Sequence, residues 1–289
     1  MLKVYYHLTK PGIIYGNSIT AAAGFFFASR GVVDIIQLIT LLIGLAFVIA
    51  CGCITNNYID RHIDSKMERT KQRGFVTGQV QLKPAFVLAI TLGLCGFFLL
   101  FAFINTLTAT LTLAAAFIYL ALYTPLKHKT STSPLVGTLS GAIPMVAGYT
   151  AVTNKFDTAA IILLLIMCIW QMPHFYAIAL RRMNDYKAAN VPTFPLIHGE
   201  LKTKQHIVAY IILFIATTSL LTFFGYTTIA YLVGMLVVGC MWLYLGIKML
   251  KNAADEQATR KMFLFSLIVL VIFSILIATT YTIAPHRLF

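Results

Sequence analysis

The 289 residues predict an all-α polytopic membrane protein, nine transmembrane helices around a central cavity that opens to the cytoplasmic side. Three observations carry this. The chain is 59% hydrophobic and only 11% charged, with a mean hydropathy of +0.84, where a soluble domain holds about 25% charged residues. Nine windows are long enough to cross a hydrocarbon core of about 30 Å, which takes about 20 apolar residues. The Lys and Arg residues also sort by loop.

The windows are 11–29, 35–55, 84–104, 107–123, 135–152, 159–180, 207–225, 227–247 and 262–283. The first is interrupted by Asn17, Ser18 and Thr20 and lacks a small-residue cleavage site, so it reads as a retained span rather than a signal peptide. The second ends in the polar run that begins at Asn56. The third and fourth are joined by a single turn at Asn105 and Thr106. The fifth and sixth contain Pro144 and Pro173, which remove backbone hydrogen bonds and favour kinks beside a cavity. The last three are apolar and carry no comparable polar motif. No linker or soluble domain intervenes, so residues 1–289 are expected to form one transmembrane domain.

With the N-terminus in the cytoplasm, that side receives Lys3, Lys10, six cations from Arg61 to Lys83, Lys127, Lys129, five from Arg181 to Lys204 and four from Lys248 to Lys261. Only Arg30, Lys155 and Arg287 remain outside. This is the positive-inside pattern. It requires an odd number of crossings and places the C-terminus outside. The net charge of +13 is therefore spread along a membrane face rather than gathered in a basic nucleic-acid-binding domain. The five cysteines fall in the windows, and Cys51-x-Cys53 has no partner pair at metal-site spacing; they read as small packing residues.

Of nine acidic residues, three lie between positions 60 and 68. On a helix Asn56, Asp60 and Asp64 drift by only about 40° per step and climb roughly 6 Å each, forming one oxygen-bearing stripe. Two like charges a turn apart repel, so a cation is implied. Mg²⁺ suits such a stripe, because it takes one or two carboxylates and completes its shell with water and substrate phosphate. Arg69, Lys71 and Arg73 follow and would neutralise the remaining phosphate charge. The competing reading is a solvated helix end whose acids pair with these same bases.

A second polar cluster, Arg181, Arg182, Asn184, Asp185, Tyr186 and Lys187, follows the sixth window. Asp185 offers a further metal ligand, and Arg181, Arg182 and Lys187 offer anion contacts; positive-inside topology alone would also put bases here. Asn56-Asn57-Tyr58 and Asn184-Asp185-Tyr186 form a faint internal echo, as if two helical blocks faced one cavity. His174 is an intramembrane histidine, and Lys127-His128-Lys129 adds a basic point on the same side. Tyr119, Tyr123, Tyr149, Phe175 and Tyr176 are placed near the cytoplasmic ends, as core residues or as an aromatic wall able to stabilise a carbocation.

The run Asn56-x3-Asp60-x3-Asp64 with Arg69-Thr70-x2-Arg73 resembles the first aspartate-rich motif of the UbiA-type intramembrane prenyltransferases. Tyr123-Thr124-Pro125-Leu126-Lys127, Gly141-Ala142-Ile143-Pro144, Trp170-x2-Pro173-His174-Phe175 and Arg182-x2-Asp185-Tyr186-x2-Ala189-x-Val191-Pro192 are similar to the protohaem IX farnesyltransferase (haem O synthase) group within them. The resemblance covers positions 11–199, and the remaining windows agree with that family's nine helices.

It implies transfer of a farnesyl group from farnesyl diphosphate to a vinyl group of haem B, with water addition, in a bacterial-type inner membrane. Asn56, Asp60, Asp64 and Asp185 would hold Mg²⁺ and diphosphate. Arg69, Lys71, Arg73, Lys127, His174, Arg181, Arg182, Tyr186 and Lys187 would contact the substrates. Haem O would pass to a terminal oxidase or a haem-modifying enzyme. Two departures are Gly74, where a proline often follows the arginine, and Ala189, which leaves the second cluster one carboxylate. An acceptor of the aromatic quinone-precursor type is the nearest alternative. A non-enzymatic carrier of a hydrophobic anion would place its polar groups near the midplane instead.

Overall fold

The computed structural model describes residues 2–251 and 256–282. Its elements are α1 (Leu2–Leu8), α2 (Pro11–Ser29), α3 (Ile35–Ile59), α4 (Arg61–Asp64), α5 (Leu82–Phe103) and α6 (Thr106–Phe117). A π-helical turn, Ile118–Tyr123, joins α6 to α7 (Thr124–Leu126). Then come α8 (Ser133–Thr153), α9 (Thr158–Arg181), α10 (Met183–Ala188), α11 (Phe194–His198), α12 (Glu200–Phe223), α13 (Ile229–Lys251) and α14 (Glu256–Thr279). Arg287, the expected outer C-terminus and the end of the last window at Ile283 lie outside the described residues.

Among the described residues, eight helices are long and apolar enough to cross a membrane: α3, α5, the α6–α7 run, α8, α9, α12, α13 and α14. These correspond to eight of the nine expected windows. The first window does form α2, but its 19 residues include the polar Asn17, Ser18 and Thr20. α2 nevertheless packs in the bundle against α8 and α14.

Contact with α8 is backbone to backbone. A Cβ on Gly24 would lie 2.1 Å from the Met145 carbonyl oxygen, and one on Gly148 would lie 2.0 Å from that of Ala21. Gly44 and Gly96 bring α3 and α5 together in the same manner, a Cβ on Gly96 falling 2.7 Å from the Gly44 carbonyl oxygen. Lipid gives helices no hydrophobic reason to associate, so close packing through small residues supplies the attraction.

The short connections before α3, α6 and α9 are capped by their own side chains. Asp34 accepts from the Gln37 N–H at 3.0 Å, Asn105 from Thr108 at 2.8 Å and Asp157 from Ala160 at 3.2 Å, each answering orphan donors of a helix N-terminus. Pro144 and Pro173 sit inside helices that continue past them. The cysteines are free thiols, with Cys53 buried in α3.

Candidate functional site

α3 loses its apolar character in its last turn, and there the stripe is built. Asn56 lies on that turn, Asp60 closes α3 and opens α4, and Asp64 ends α4. All three are buried and line one cavity of about 900 Å³. The segment after α4 folds back over them: the Thr70 hydroxyl donates to the Asp64 carbonyl at 3.0 Å, and Arg73 Nη1 reaches Asp64 Oδ2 at 2.6 Å.

Each member of the stripe has a cationic partner. Lys10 Nζ donates to Asn56 Oδ1 at 2.7 Å. Lys127 Nζ forms an ion pair with Asp60 Oδ2, and His128 Nε2 is 3.6 Å from Oδ1 of the same carboxylate. Asn56 Nδ2 donates to Thr124 Oγ1 at 3.1 Å, whose own hydroxyl donates to the Tyr119 carbonyl at 2.8 Å across the π-helical turn. That turn therefore sets the position of Thr124 and, three residues on, of Lys127.

The charged side chains lining the cavity are Asp60 and Asp64 against Lys10, Arg69, Arg73 and Lys127. Two acids facing four bases leave an excess of positive charge, which suits an anion carrying more than one charge. Burial lowers Lys10 to about 8, and Arg73 and Lys127 press it the same way. Burial also lowers Lys127, against the pull of Asp60. Beyond these charges the lining is mostly apolar and aromatic, with Leu45, Val48, Ile49, Met167, Leu267 and Leu270 among it and Thr20, Thr112, Gln171 and His174 among the polar exceptions.

The donor set fits Mg²⁺. Asp60 Oδ1 is buried and, among the described residues, makes no hydrogen bond, with His128 Nε2 no nearer than 3.6 Å, so it has a lone pair to give to a cation. No group of three or more His, Cys, Asp and Glu side chains able to hold an ion occurs among the described residues. An ion here would need phosphate oxygens to complete its shell, which is the habit of Mg²⁺.

Of the other residues singled out in the sequence, Arg69, Arg73, Lys127, His174 and Tyr186 line the cavity. Lys71 instead pairs with Glu68 at 2.6 Å on the surface. Asp185 is not in the cavity wall; its Oδ1 accepts the Glu68 N–H at 3.1 Å, so it braces the 65–73 segment from α10. Arg181 lies 4.8 Å over the Phe263 ring, and neither it, Arg182 nor Lys187 lines the cavity. Tyr119, Tyr123, Phe175 and Tyr176 do. Tyr149 is corrected to the opposite end of α8, where its hydroxyl donates to Asp157 at 2.8 Å. The Asn-x-Tyr echo does not extend to side-chain roles, since Tyr58 packs edge-on against Phe75 and Phe86 while Tyr186 faces the cavity. Lys10 and Thr124 were missed as site residues. Lys10 reads as a positive-inside anchor, and Thr124 depends on a helical irregularity with no simple sequence signal.

The chain matches the UbiA prenyltransferase family over residues 17–268. It is 44% identical over 288 residues to Protoheme IX farnesyltransferase 2 of Pseudomonas fluorescens (strain Pf0-1), covering 99% of this chain and 98% of that one. It is 43% identical over 284 residues to the Protoheme IX farnesyltransferase of Yersinia pseudotuberculosis serotype O:1b (strain IP 31758), covering 98% and 96%. Among solved structures, that of a digeranylgeranylglyceryl phosphate synthase has a TM-score of 0.78 at 20% identity, covering 96% and 97%. A UbiA homolog from Archaeoglobus fulgidus bound to DMAPP and Mg²⁺ has a TM-score of 0.67 at 14% identity, covering 95% and 99%. The two structures establish a shared fold. The chain belongs to the UbiA prenyltransferase family, and over nearly its whole length it is similar to the protoheme IX farnesyltransferases within it.

Proposed function

We propose that the protein transfers the farnesyl group of farnesyl diphosphate to a vinyl group of haem B, giving haem O and diphosphate. The observation that carries this is a cavity with two buried acids and four bases at one end and an apolar body at the other, in a chain so similar to named farnesyltransferases. The C1–O bond to diphosphate breaks and C1 bonds to the terminal vinyl carbon. Water then adds to the electron-poor carbon beside the porphyrin and gives up its proton.

Asn56, Asp60 and Asp64 would hold Mg²⁺, which as a Lewis acid stabilises the charge growing on the leaving diphosphate. Lys10, Arg69, Arg73 and Lys127 meet that anion as fixed donors and need little rearrangement as its charge grows. The apolar wall dissolves the isoprenoid tail and keeps water from the allylic cation, and Tyr119, Tyr123 and Phe175 supply aromatic rings to that lining. Asp185 holds the overlying segment in place rather than binding metal. The N-terminus and the charged rim face the cytoplasm of a bacterial-type inner membrane, which the distribution of Lys and Arg supports; α2 then counts as a ninth crossing.

The test gives membranes containing the chain farnesyl diphosphate with haem B or with a phenolic quinone precursor, and identifies the product by mass spectrometry. A farnesylated, hydrated haem is expected. Prenylation of the phenol alone would move the protein to the aromatic-acceptor enzymes, and consumption of neither would reject the transferase reading.

A further inference from the structure

His174 lines the cavity from α9. Its Nδ1 is 2.8 Å from the Ser266 hydroxyl on α14, and that hydroxyl donates its own hydrogen to the Phe263 carbonyl at 2.6 Å. With its hydrogen so used, Ser266 Oγ can only accept from the imidazole. The proton of a neutral His174 therefore sits on Nδ1, and Nε2 carries a lone pair. The ring stacks on Trp170, centroids 5.2 Å apart, and on Phe263, centroids 5.1 Å apart. Trp170 is itself pinned, its Nε1–H donating to the Ser266 carbonyl at 2.9 Å.

Nδ1 is committed and the ring's π surface is packed on two neighbours. Nε2 is the polar atom left for the cavity, and among the described residues it makes no hydrogen bond. This is how proteins prepare an imidazole to bind a metal: a group on the far nitrogen fixes the tautomer and the ring plane. The other candidates are less prepared. His198 already has its Nε2 3.3 Å from Ser131 Oγ, with its ring against Phe194 at 4.4 Å. His7 is exposed, on the short helix α1 at the cavity mouth.

We infer that His174 Nε2 is an axial ligand to the iron of the haem substrate, with Ser266 as its positioning residue. The inference rests on haem being the acceptor. Coordination changes no oxidation state and leaves no atom unbalanced. It would hold the macrocycle within the apolar body of the cavity, away from the Asp60–Asp64 rim, so that a vinyl group at the macrocycle's edge can meet C1 of the isoprenoid.

The test uses the full chain in lipid nanodiscs with substoichiometric ferrous haem B, read by resonance Raman. Wild type is expected to show an iron–imidazole stretch. His174→Ala is expected to lose it and to regain an imidazole-ligated spectrum on adding free imidazole, while still binding farnesyl thiodiphosphate as wild type does. Ser266→Ala is expected to keep the band at lower frequency, since the Nδ1–H would no longer be polarised. A wild-type band in His174→Ala overturns the inference and leaves the transferase reading intact. Failure of wild type to bind haem saturably overturns both. Should His174→Ala fail to bind the diphosphate analogue, Ser266→Ala decides, and an unshifted band there overturns the assignment.

Discussion

Lys10 Nζ donates to Asn56 Oδ1 at 2.7 Å, joining the residue before α2 to the last turn of α3. The contact spans 46 positions of sequence and closes one side of the polar rim. Lys10 also adopts a left-handed backbone conformation, φ 52°, a state that a non-glycine residue enters at some cost and that aims this side chain inward.

Lys10→Met is expected to weaken use of farnesyl diphosphate. A hydrogen bond to a charged group contributes about 1.5–3 kcal/mol, so kcat/KM should fall by roughly one to two orders of magnitude. Lys10→Arg should recover part of it. Steady-state kinetics with varied farnesyl diphosphate and saturating haem B checks this, and the KM for haem B should move little.

Asp60→Ala and Asp64→Ala are each expected to reduce turnover by roughly a hundredfold or more, the size seen when one preorganised charge-stabilising group is removed. Both proteins should still insert, because both acids are buried within the protein and not on the outer faces of the apolar spans. Each variant leaves Lys127 or Arg73 without its buried counter-ion, so thermal stability should also drop, more than in the isosteric Asp→Asn variants. Activity and a thermal melt on the same preparations separate the two effects.

Lys71→Ala and Lys187→Ala are expected to stay within about twofold of wild type. Lys71 is engaged by Glu68 on an exposed surface, where such pairs contribute only about 0–1 kcal/mol, and Lys187 stands outside the cavity. Large losses in either would show that the catalytic arrangement differs from this one.

Gly148→Ala is expected to lower thermal stability without a specific loss of substrate affinity. Its Cβ would fall 2.0 Å from the Ala21 carbonyl oxygen, so α2 and α8 must separate. Overpacking of this kind costs about 1–3 kcal/mol or more. The melting temperature in detergent, with the residual KM for each substrate, measures it.

The bundle and the acidic stripe were legible in the sequence for the same reason. In so apolar a chain each charge needs a cause, and Asn56, Asp60 and Asp64 in phase had few alternatives. Arg73 followed from its nearness to the stripe. Lys10 did not, because a lysine before a span satisfies the topology rule without any further role. The contact of Asp185 with the Glu68 N–H was hidden, because the two lie 117 positions apart and no local pattern encodes such a contact. The first window was legible as a helix, α2, which packs in the bundle against α8 and α14 despite its polar residues. The preparation of His174 by Ser266 was also hidden, since it joins helices separated by 92 positions.

The most direct measurement is binding of farnesyl thiodiphosphate to the purified protein, titrated with Mg²⁺ present and again in EDTA. The account predicts tight binding only with the metal, recovered when Mg²⁺ is returned to wild type and not when it is returned to Asp60→Ala. Equal affinity in EDTA and in Mg²⁺ would contradict it.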